Sequence, residues 1–189
     1  MAASLLLLAL GLVLLFSRTA YRIAHEEFER TTAEQTILAL GNKLDSDFSI
    51  ASAAGLSLST SGRDLLFHPI TLSDTGSVVY QDRLFLWHHD PEQETLVRYR
   101  ALSYPPRPFD GTPFRAEETV LVDLHQAPEF EVTNRYAAIS AFTVTNSSAV
   151  SLPFIGSPLT VQVEAKLDLG EVRKTVQVSK VVQLRNSGV

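Results

Sequence analysis

The first seventeen residues carry no charge, and this segment constrains the fold more than any other feature of the chain. Every Lys, Arg, Asp, Glu and His lies from Arg18 onward, and residues 2–16 include eight leucines. A helix rises ~1.5 Å per residue, so the segment reaches about 25 Å, somewhat less than the ~30 Å core of a bilayer. We predict that residues 1–17 form the membrane-spanning half of an N-terminal helix that is a few residues short at its front.

Two other interpretations of this segment fit less well. A secretory signal peptide would carry a basic residue before the apolar run and a cleavage site of small residues after it, and Ser17-Arg18-Thr19-Ala20 is a poor match. A buried core helix would contain some polar residues. The positive-inside rule alone would place the rest of the chain in the cytoplasm, because Arg18 and Arg22 follow the span, but three glutamates within residues 26–29 weaken that signal.

The helical pattern continues past the span as an amphipathic half over residues 18–54. Apolar residues recur there at helical spacing: Tyr21, Ala24, Phe28, Ile37, Leu40, Leu44, Phe48 and Ala51. The pattern predicts one helix from Ala2 to about Ala53, ending near Gly55. Two helices broken near Gly41 are the alternative.

After Gly55 the periodicity changes to two, which predicts an antiparallel β-sheet region over residues 55–189. Candidate strands include Leu65–Phe67, Val78–Tyr80, Arg83–Trp87, Thr95–Arg100, Val120–Leu124, Ile139–Val144, Leu159–Leu169 and Val176–Leu184. The last two alternate most regularly and predict a hairpin with one solvent-facing side. Residues 103–112, rich in proline, and 147–158 are predicted loops. We therefore predict an α+β fold in which the helix covers one side of a sheet of five to seven strands.

Composition excludes several functional classes. The chain has no cysteine, so it has no disulfide, no thiolate zinc site and no cysteine nucleophile. Its net charge of −5 argues against direct binding of nucleic acid, which normally requires a basic surplus.

Motifs that carry chemistry are few. Asp74-Thr75-Gly76-Ser77 matches the signature of aspartic proteases, in which two carboxylates share a proton, but these are also ordinary turn residues and no second copy exists. His88-His89-Asp90 and Asp123-Leu124-His125 contain metal-ligand types, yet adjacent strand residues point to opposite faces. Asp45-Ser46-Asp47 is expected to be solvated or to cap a helix. We predict no catalytic, cofactor-binding or metal-binding residue, and therefore a protein that is not an enzyme.

The layout of a half-apolar, half-amphipathic N-terminal helix followed by an antiparallel sheet resembles the type IV pilin-like proteins. Within that family it is most similar to J-type minor pseudopilins of the type II secretion system and to PilW-like minor pilins. The family's leader peptide and the Glu near the start of its mature helix do not precede Met1. We therefore expect that the true start lies upstream and that Met1 is an internal methionine.

The resemblance implies a structural minor subunit of a type IV pilus or a type II secretion pseudopilus. It implies a single-pass protein of the bacterial inner membrane with its globular part in the periplasm or outside, at the fibre tip. Expected partners are other pilin-like subunits and exported protein cargo. The assembly helix would use Leu5, Leu6, Leu7, Leu8, Leu10, Leu12, Val13, Leu14, Leu15, Phe16, Tyr21, Ala24 and Phe28.

Two other functions remain open from the sequence. The first is a single-pass, membrane-anchored β-domain protein that acts as an envelope assembly or scaffold factor. It shares the anchor with a pilin-like subunit but forms no fibre. The second is a dimeric aspartic protease with Asp74 as its catalytic residue, and it has the weaker support.

Overall fold

The fold is α+β, as predicted. A computed structural model describes residues 2–102, 112–146, 159–168, 173–182 and 184, with backbone alone for residues 2–9, 146, 167–168 and 173–174. Both predicted loops, 103–112 and 147–158, lie outside the described residues except for Thr112. A long N-terminal helix is followed by antiparallel strands in two sheets.

The N-terminal helix, α1, runs without interruption from Ala2 to Ser49. It passes through Gly41, so the alternative of two helices is wrong. The predicted end near Ala53 is also wrong, because residues 51–58 form a strand. The backbone turns at Ile50, whose N–H donates to the carbonyl of Asp47 and whose carbonyl accepts from the N–H of Ile70. Strand pairing thus overrides the helix propensity of an alanine-rich segment.

The larger sheet has six strands and forms one wall of the core. Its order is β1 (Ala51–Leu58), β2 (Asp64–Leu72), β4 (Arg83–Asp90), β5 (Thr95–Leu102) and β6 (Phe130–Tyr136), with β3 (Val78–Tyr80) paired to β2. Gly55 lies in β1, where a Cβ would meet the His68 carbonyl oxygen at 3.0 Å. This close approach explains a glycine that the sequence pattern assigned to a helix end.

The smaller sheet contains β7 (Ile139–Asn146), β8 (Leu159–Asp168) and β9 (Arg173–Val182), in that order. The predicted hairpin is confirmed as β8–β9, with Val163 opposite Val178. The prediction of one sheet with five to seven strands is wrong, since the described residues hold nine strands in two sheets. The extra strands are β1, which lacks a regular alternation of apolar and polar residues, and β6, in which the alternation covers only residues 130–133.

The main core lies where the second half of α1 meets both sheets. Ile37, Leu40, Leu44 and Phe48 form the buried face of α1, here called the docking face. It packs on side chains from both sheets, including Phe67, Trp87 and Val161. The amphipathic half of the helix is therefore the part that joins the two sheets.

A second core lies on the opposite side of the larger sheet, under the segment 112–127. This segment contains a short helix α2 (Glu118–Leu121) and a 3-10 turn (Leu124–Gln126). The predicted strand at 120–124 is therefore wrong. Leu121 and Leu124, three residues apart, are the buried members, whereas Val120 and Val122 are exposed. The buried residues are therefore spaced as on one face of a helix, although the sequence alternates as in a strand.

His68, on β2, bonds through one ring nitrogen to the segment 112–127 and through the other to the connection between β3 and β4. Its Nε2 lies 2.5 Å from the carbonyl oxygen of Gln81, and its Nδ1 accepts from the N–H of Phe114 at 2.9 Å. A carbonyl oxygen only accepts, so Nε2 carries the proton and Nδ1 is unprotonated. A second proton on Nδ1 would remove the bond from Phe114.

We expect the protein to lose stability as the pH falls below about 6.5, the ordinary pKa of histidine. Burial lowers the pKa of His68, against the raising effects of the Gln81 carbonyl and Asp82. The unfolded chain then binds more protons than the native chain in this pH range, so stability is complete above the ordinary pKa and declines toward the lowered one. Urea unfolding at about pH 7.5 and about pH 5.5 measures the effect. His68→Gln should reduce this dependence, and His25→Gln, at an exposed site, should leave it unchanged; equal dependence in all three proteins would contradict the assignment.

Candidate assembly interface on the N-terminal helix

The first part of α1 carries large apolar side chains that are mostly exposed to solvent. From Leu10 to Thr36 no residue is buried. The exposed large apolar side chains of the predicted span are Leu10, Leu12, Val13, Leu14, Leu15 and Phe16. Phe16 is 72% exposed. The helical backbone includes Leu5, Leu6, Leu7 and Leu8, but their side chains lie outside the described part.

The exposed apolar residues continue along one side of the helix. At about 100° per residue, Leu10, Leu14, Tyr21, Ala24 and Phe28 fall within an arc of roughly 80°, here called the apolar stripe. Tyr21 is 76% exposed and Phe28 is 67% exposed. The two exposed aromatic rings on one side of the helix form an apolar patch, and patches of this kind mark interaction sites.

The apolar stripe faces away from the rest of the molecule. By the same rotation of about 100° per residue, the docking face lies roughly 160° around the helix from the stripe. The sheets therefore cover one side of the second half of α1, and the stripe remains uncovered on the other side of the first half. The helix therefore has two apolar surfaces, and the described part of the chain covers one of them.

Charged residues occupy the side of the first half that the stripe leaves free. Arg22 pairs with Glu26 at 3.7 Å, and Arg30 pairs with Glu34 at 3.0 Å, each one helical turn apart. Exposed pairs of this kind contribute little stability because water screens them, but they favour the helical conformation. They support a helix that has no packed core beneath it.

A buried ion pair fixes α1 to the larger sheet. Asp47, on α1, is 2% exposed, and Arg98, on β5, is 4% exposed. The guanidinium donates from Nε to Oδ2 at 2.6 Å and from Nη2 to Oδ1 at 2.9 Å. Two parallel bonds between a planar guanidinium and a carboxylate fix orientation as well as distance. This contact, together with the packing of the docking face, sets the position of the helix on the sheet.

Other groups complete the polar contacts of this pair. Trp87 donates from its indole Nε1 to Asp47 Oδ2 at 3.1 Å, and Lys43 lies 3.4 Å from Oδ1. Arg98 also donates to the hydroxyl of Thr133 at 2.9 Å and lies 3.9 Å from the centre of the Phe85 ring. A buried charge is tolerated when it is paired and hydrogen-bonded in this way.

The sequence did not identify this pair. Asp47 was expected to be solvated or to cap the helix, and that interpretation is wrong for Asp47. Asp45, two residues earlier, is partly exposed and pairs with Lys180. The sequence offered one indication, which is that Arg98 lies in a predicted strand. If the face of the strand that carries Arg98 is covered, its guanidinium needs a buried partner. The partner itself lies 51 residues away in the sequence and could not be named.

The remaining motif residues lie apart from the apolar stripe. Asp74 is exposed in the turn between β2 and β3, where Gly76 has φ of 78° and its N–H donates to the carbonyl of Ser73. The turn interpretation of this motif is confirmed. His88 and His89 point to opposite faces of β4, also as predicted, since His89 is buried and hydrogen-bonded to the carbonyl of Ile139.

Within the part of the chain that the structure describes, no helix has the length and hydropathy required of a membrane span. Comparison of the chain with protein-family models, with curated proteins and with solved structures finds no match.

Proposed function

We propose that this protein is a structural, pilin-like subunit that assembles with similar subunits through its N-terminal helix. The observation that carries the proposal is the exposed apolar stripe, placed on the helix side opposite the docking face. A neighbouring helix can pack on the stripe without disturbing the contacts of α1 with the sheets. The protein has a structural role in this proposal and performs no catalysis.

The energetic basis of assembly is burial of the stripe. Fully burying a large apolar side chain stabilises a complex by about 1.5–3 kcal/mol, and Tyr21 and Phe28 are both largely exposed in the isolated chain. Several such contacts repeated along two helices offset the loss of translational freedom on association. The uncharged segment before Arg18 extends this surface and, in the proposal, anchors the subunit in the bacterial inner membrane.

The β-sheet region has a second role in the proposal. It stands in the periplasm or outside the cell, as a minor subunit of a type II secretion pseudopilus or a type IV pilus near the fibre tip. Its surface contacts partner subunits or exported protein cargo. The two sheets and the buried Asp47–Arg98 pair support this role, because they form a rigid base from which α1 extends.

Site-specific photo-crosslinking in the native membrane tests the proposal. A photoreactive residue at Tyr21 or Phe28 should crosslink to the N-terminal helix of a neighbouring subunit, either another copy or a similar protein. The same group at Glu26 or Arg30, which lie at a similar depth and roughly 160° around the helix from Phe28, is the matched control and should give little protein crosslinking. The contrast between the two sides is the expected result.

Two results would contradict the proposal. Equal crosslinking from both sides would mean that the stripe is not the contact surface. Crosslinks from Tyr21 and Phe28 to lipid alone would favour the alternative, a single-pass anchored protein that acts as an envelope scaffold without forming a fibre. Mass spectrometry of the crosslinked products distinguishes these results. It identifies a peptide of the partner helix if the proposal is right, and lipid adducts without a partner peptide if the alternative is right.

A further inference from the structure

Three metal-ligating side chains converge on the face of the larger sheet that the segment 112–127 covers. Asp64, His88 and His125 each offer one ligand atom, and these atoms all lie within 4.8 Å of one another. Asp64 Oδ1 and His88 Nδ1 are 2.6 Å apart. The imidazole rings of His88 and His125 are stacked, with centroids separated by 4.0 Å.

The fold brings these residues together from three separate elements. Asp64 begins β2 and lies directly opposite His88 in the antiparallel pairing of β2 with β4. His125 comes from the 3-10 turn, which is held over the sheet by buried Leu121 and Leu124. Two of the three positions are therefore fixed by backbone pairing, and the third by packing of the covering segment.

The donor set has the chemistry of a transition-metal site. Two imidazoles and one carboxylate are a recurrent ligand set for zinc and for non-haem iron, with further positions open to water. Ligand atoms bound to zinc at about 2.0–2.2 Å with tetrahedral angles lie about 3.3–3.6 Å from each other. The 2.6 Å between Asp64 Oδ1 and His88 Nδ1 is shorter than this distance, and the other separations lie within 4.8 Å, so the side chains must rotate slightly for the three groups to bind one ion.

One ring must turn for binding to occur. The stacked rings differ in plane by only 10°, and an imidazole directs its lone pair within its own plane, so parallel rings do not point at one ion. His125 is the ring that can turn. It is half-buried, and its Nδ1 has no hydrogen-bond partner of normal geometry, although the Val122 carbonyl is close enough to act on its pKa. His88, in contrast, is held by Asp64.

The environment favours a cation between these groups. The Asp64 side chain is buried, and a buried carboxylate requires compensation by a cation or by hydrogen bonds. His88 supplies one hydrogen-bonding contact, and a divalent ion would supply charge as well. The N–H and carbonyl of Asp64 are both bonded to Ser59, which holds the backbone of this ligand in place.

We propose that Asp64, His88 and His125 form a binding site for a divalent transition-metal ion of the zinc type, with water completing its coordination. The ion would join β2, β4 and the 3-10 turn, and so hold the covering segment 112–127 on the sheet. The sequence predicted no metal site, because the adjacent residues His88 and His89 point to opposite faces of a strand. The site is separate from the apolar stripe and does not depend on the proposed function.

The test uses the full chain in detergent micelles, stripped of metal with a chelator and titrated with Zn²⁺ by calorimetry. The wild-type chain should bind one zinc ion stoichiometrically, and Mg²⁺ should not compete. His125→Ala should weaken zinc binding about tenfold or more, by comparison with the 10–100-fold cost of altering even an outer-shell group. His25→Ala removes an exposed histidine from α1 and is the matched control, with zinc affinity equal to that of the wild type.

A second measurement keeps folding separate from binding. Thermal unfolding without metal gives the reference midpoint of each protein, since His125→Ala also removes the stacking contact with His88. Added zinc should then raise the midpoint of the wild type but not that of His125→Ala. Equal zinc affinity in these two proteins, loss of binding in His25→Ala instead, or no stoichiometric binding by the folded wild type would each overturn the proposal.

Discussion

Replacing Asp47 by Ala is expected to lower the free energy of unfolding by about 3–5 kcal/mol. The carboxylate is 2% exposed and accepts two hydrogen bonds from Arg98. Its removal leaves a buried guanidinium without a counter-charge, and the indole N–H of Trp87 loses its acceptor. The cost of an unpaired buried charge is much larger than the value of the pair itself.

Asp45 provides the matched control for this substitution. It lies on the same helix two residues earlier, but its side chain is 44% exposed and pairs with Lys180 at the surface. Asp45→Ala should therefore change the free energy of unfolding by about 1 kcal/mol or less. Urea unfolding of the full chain in detergent measures both variants. Similar losses for the two substitutions would contradict the role assigned to Asp47.

Trp87 reports on this contact directly. It is the single tryptophan of the chain, it is fully buried, and its indole is bonded to Asp47. Its fluorescence should therefore shift in Asp47→Ala under conditions where the protein is still folded, and it should not shift in Asp45→Ala.

Replacing Asp47 and Arg98 together by apolar residues of similar size should destabilise the protein by less than the sum of the two single changes, because no unpaired charge then remains.

Leu40→Ala is expected to destabilise the protein by about 2–5 kcal/mol. Leu40 is 1% exposed at the centre of the docking face, where α1 packs against both sheets. Truncation removes buried methyl groups and leaves a cavity that a helix fixed by the Asp47–Arg98 pair cannot readily close. The effect combines lost transfer free energy with lost packing contacts.

Leu38 is the matched control, since it is the same residue type on the same helix but is 65% exposed. Leu38→Ala should alter the free energy of unfolding by about 0.5 kcal/mol or less, as expected for a surface substitution. The denaturant midpoints of the two variants, measured side by side, show whether Leu40 and not Leu38 lies on the docking face. Comparable effects at the two positions would mean that α1 docks on a different face.

Much of the fold was predictable because the hydrophobic periodicity is strong where the elements are long. The helical spacing of Ile37, Leu40, Leu44 and Phe48 predicted the docking face, and all four are buried. The alternation in Leu159–Asp168 predicted a strand whose Val161 and Val163 are buried. In both elements one face meets a core and the other meets water, so the pattern of residues repeats the geometry of the backbone.

The incorrect predictions of secondary structure concern segments in which hydrophobic periodicity does not match the conformation. Residues 51–55 are small and compatible with a helix, and only pairing with β2 makes them a strand. Residues 120–124 alternate like a strand, yet Leu121 and Leu124 are buried at helical spacing. Short segments contain too few residues to separate the two periods, and tertiary contacts then decide the conformation.

The candidate sites divide in the same way. The apolar stripe was predictable because all its members lie on one helix, where spacing in the sequence is spacing in space. The Asp47–Arg98 pair and the Asp64, His88 and His125 cluster were not, because each joins residues from different elements. Periodicity assigns a residue to a face of its own element but does not identify what that face meets.

The sequence by itself determined an uncharged apolar start, one long helix with an amphipathic second half, and the regular hairpin at the C-terminal side of the chain. These features depend on local propensity and on burial of one face, and both are encoded in neighbouring residues. Only the tertiary structure decided that the strands form two sheets, that Asp47 is buried against Arg98, and that two histidines meet Asp64. Those contacts depend on strand register and on the packing of distant segments, because the free energy that selects them is gained only when the segments meet.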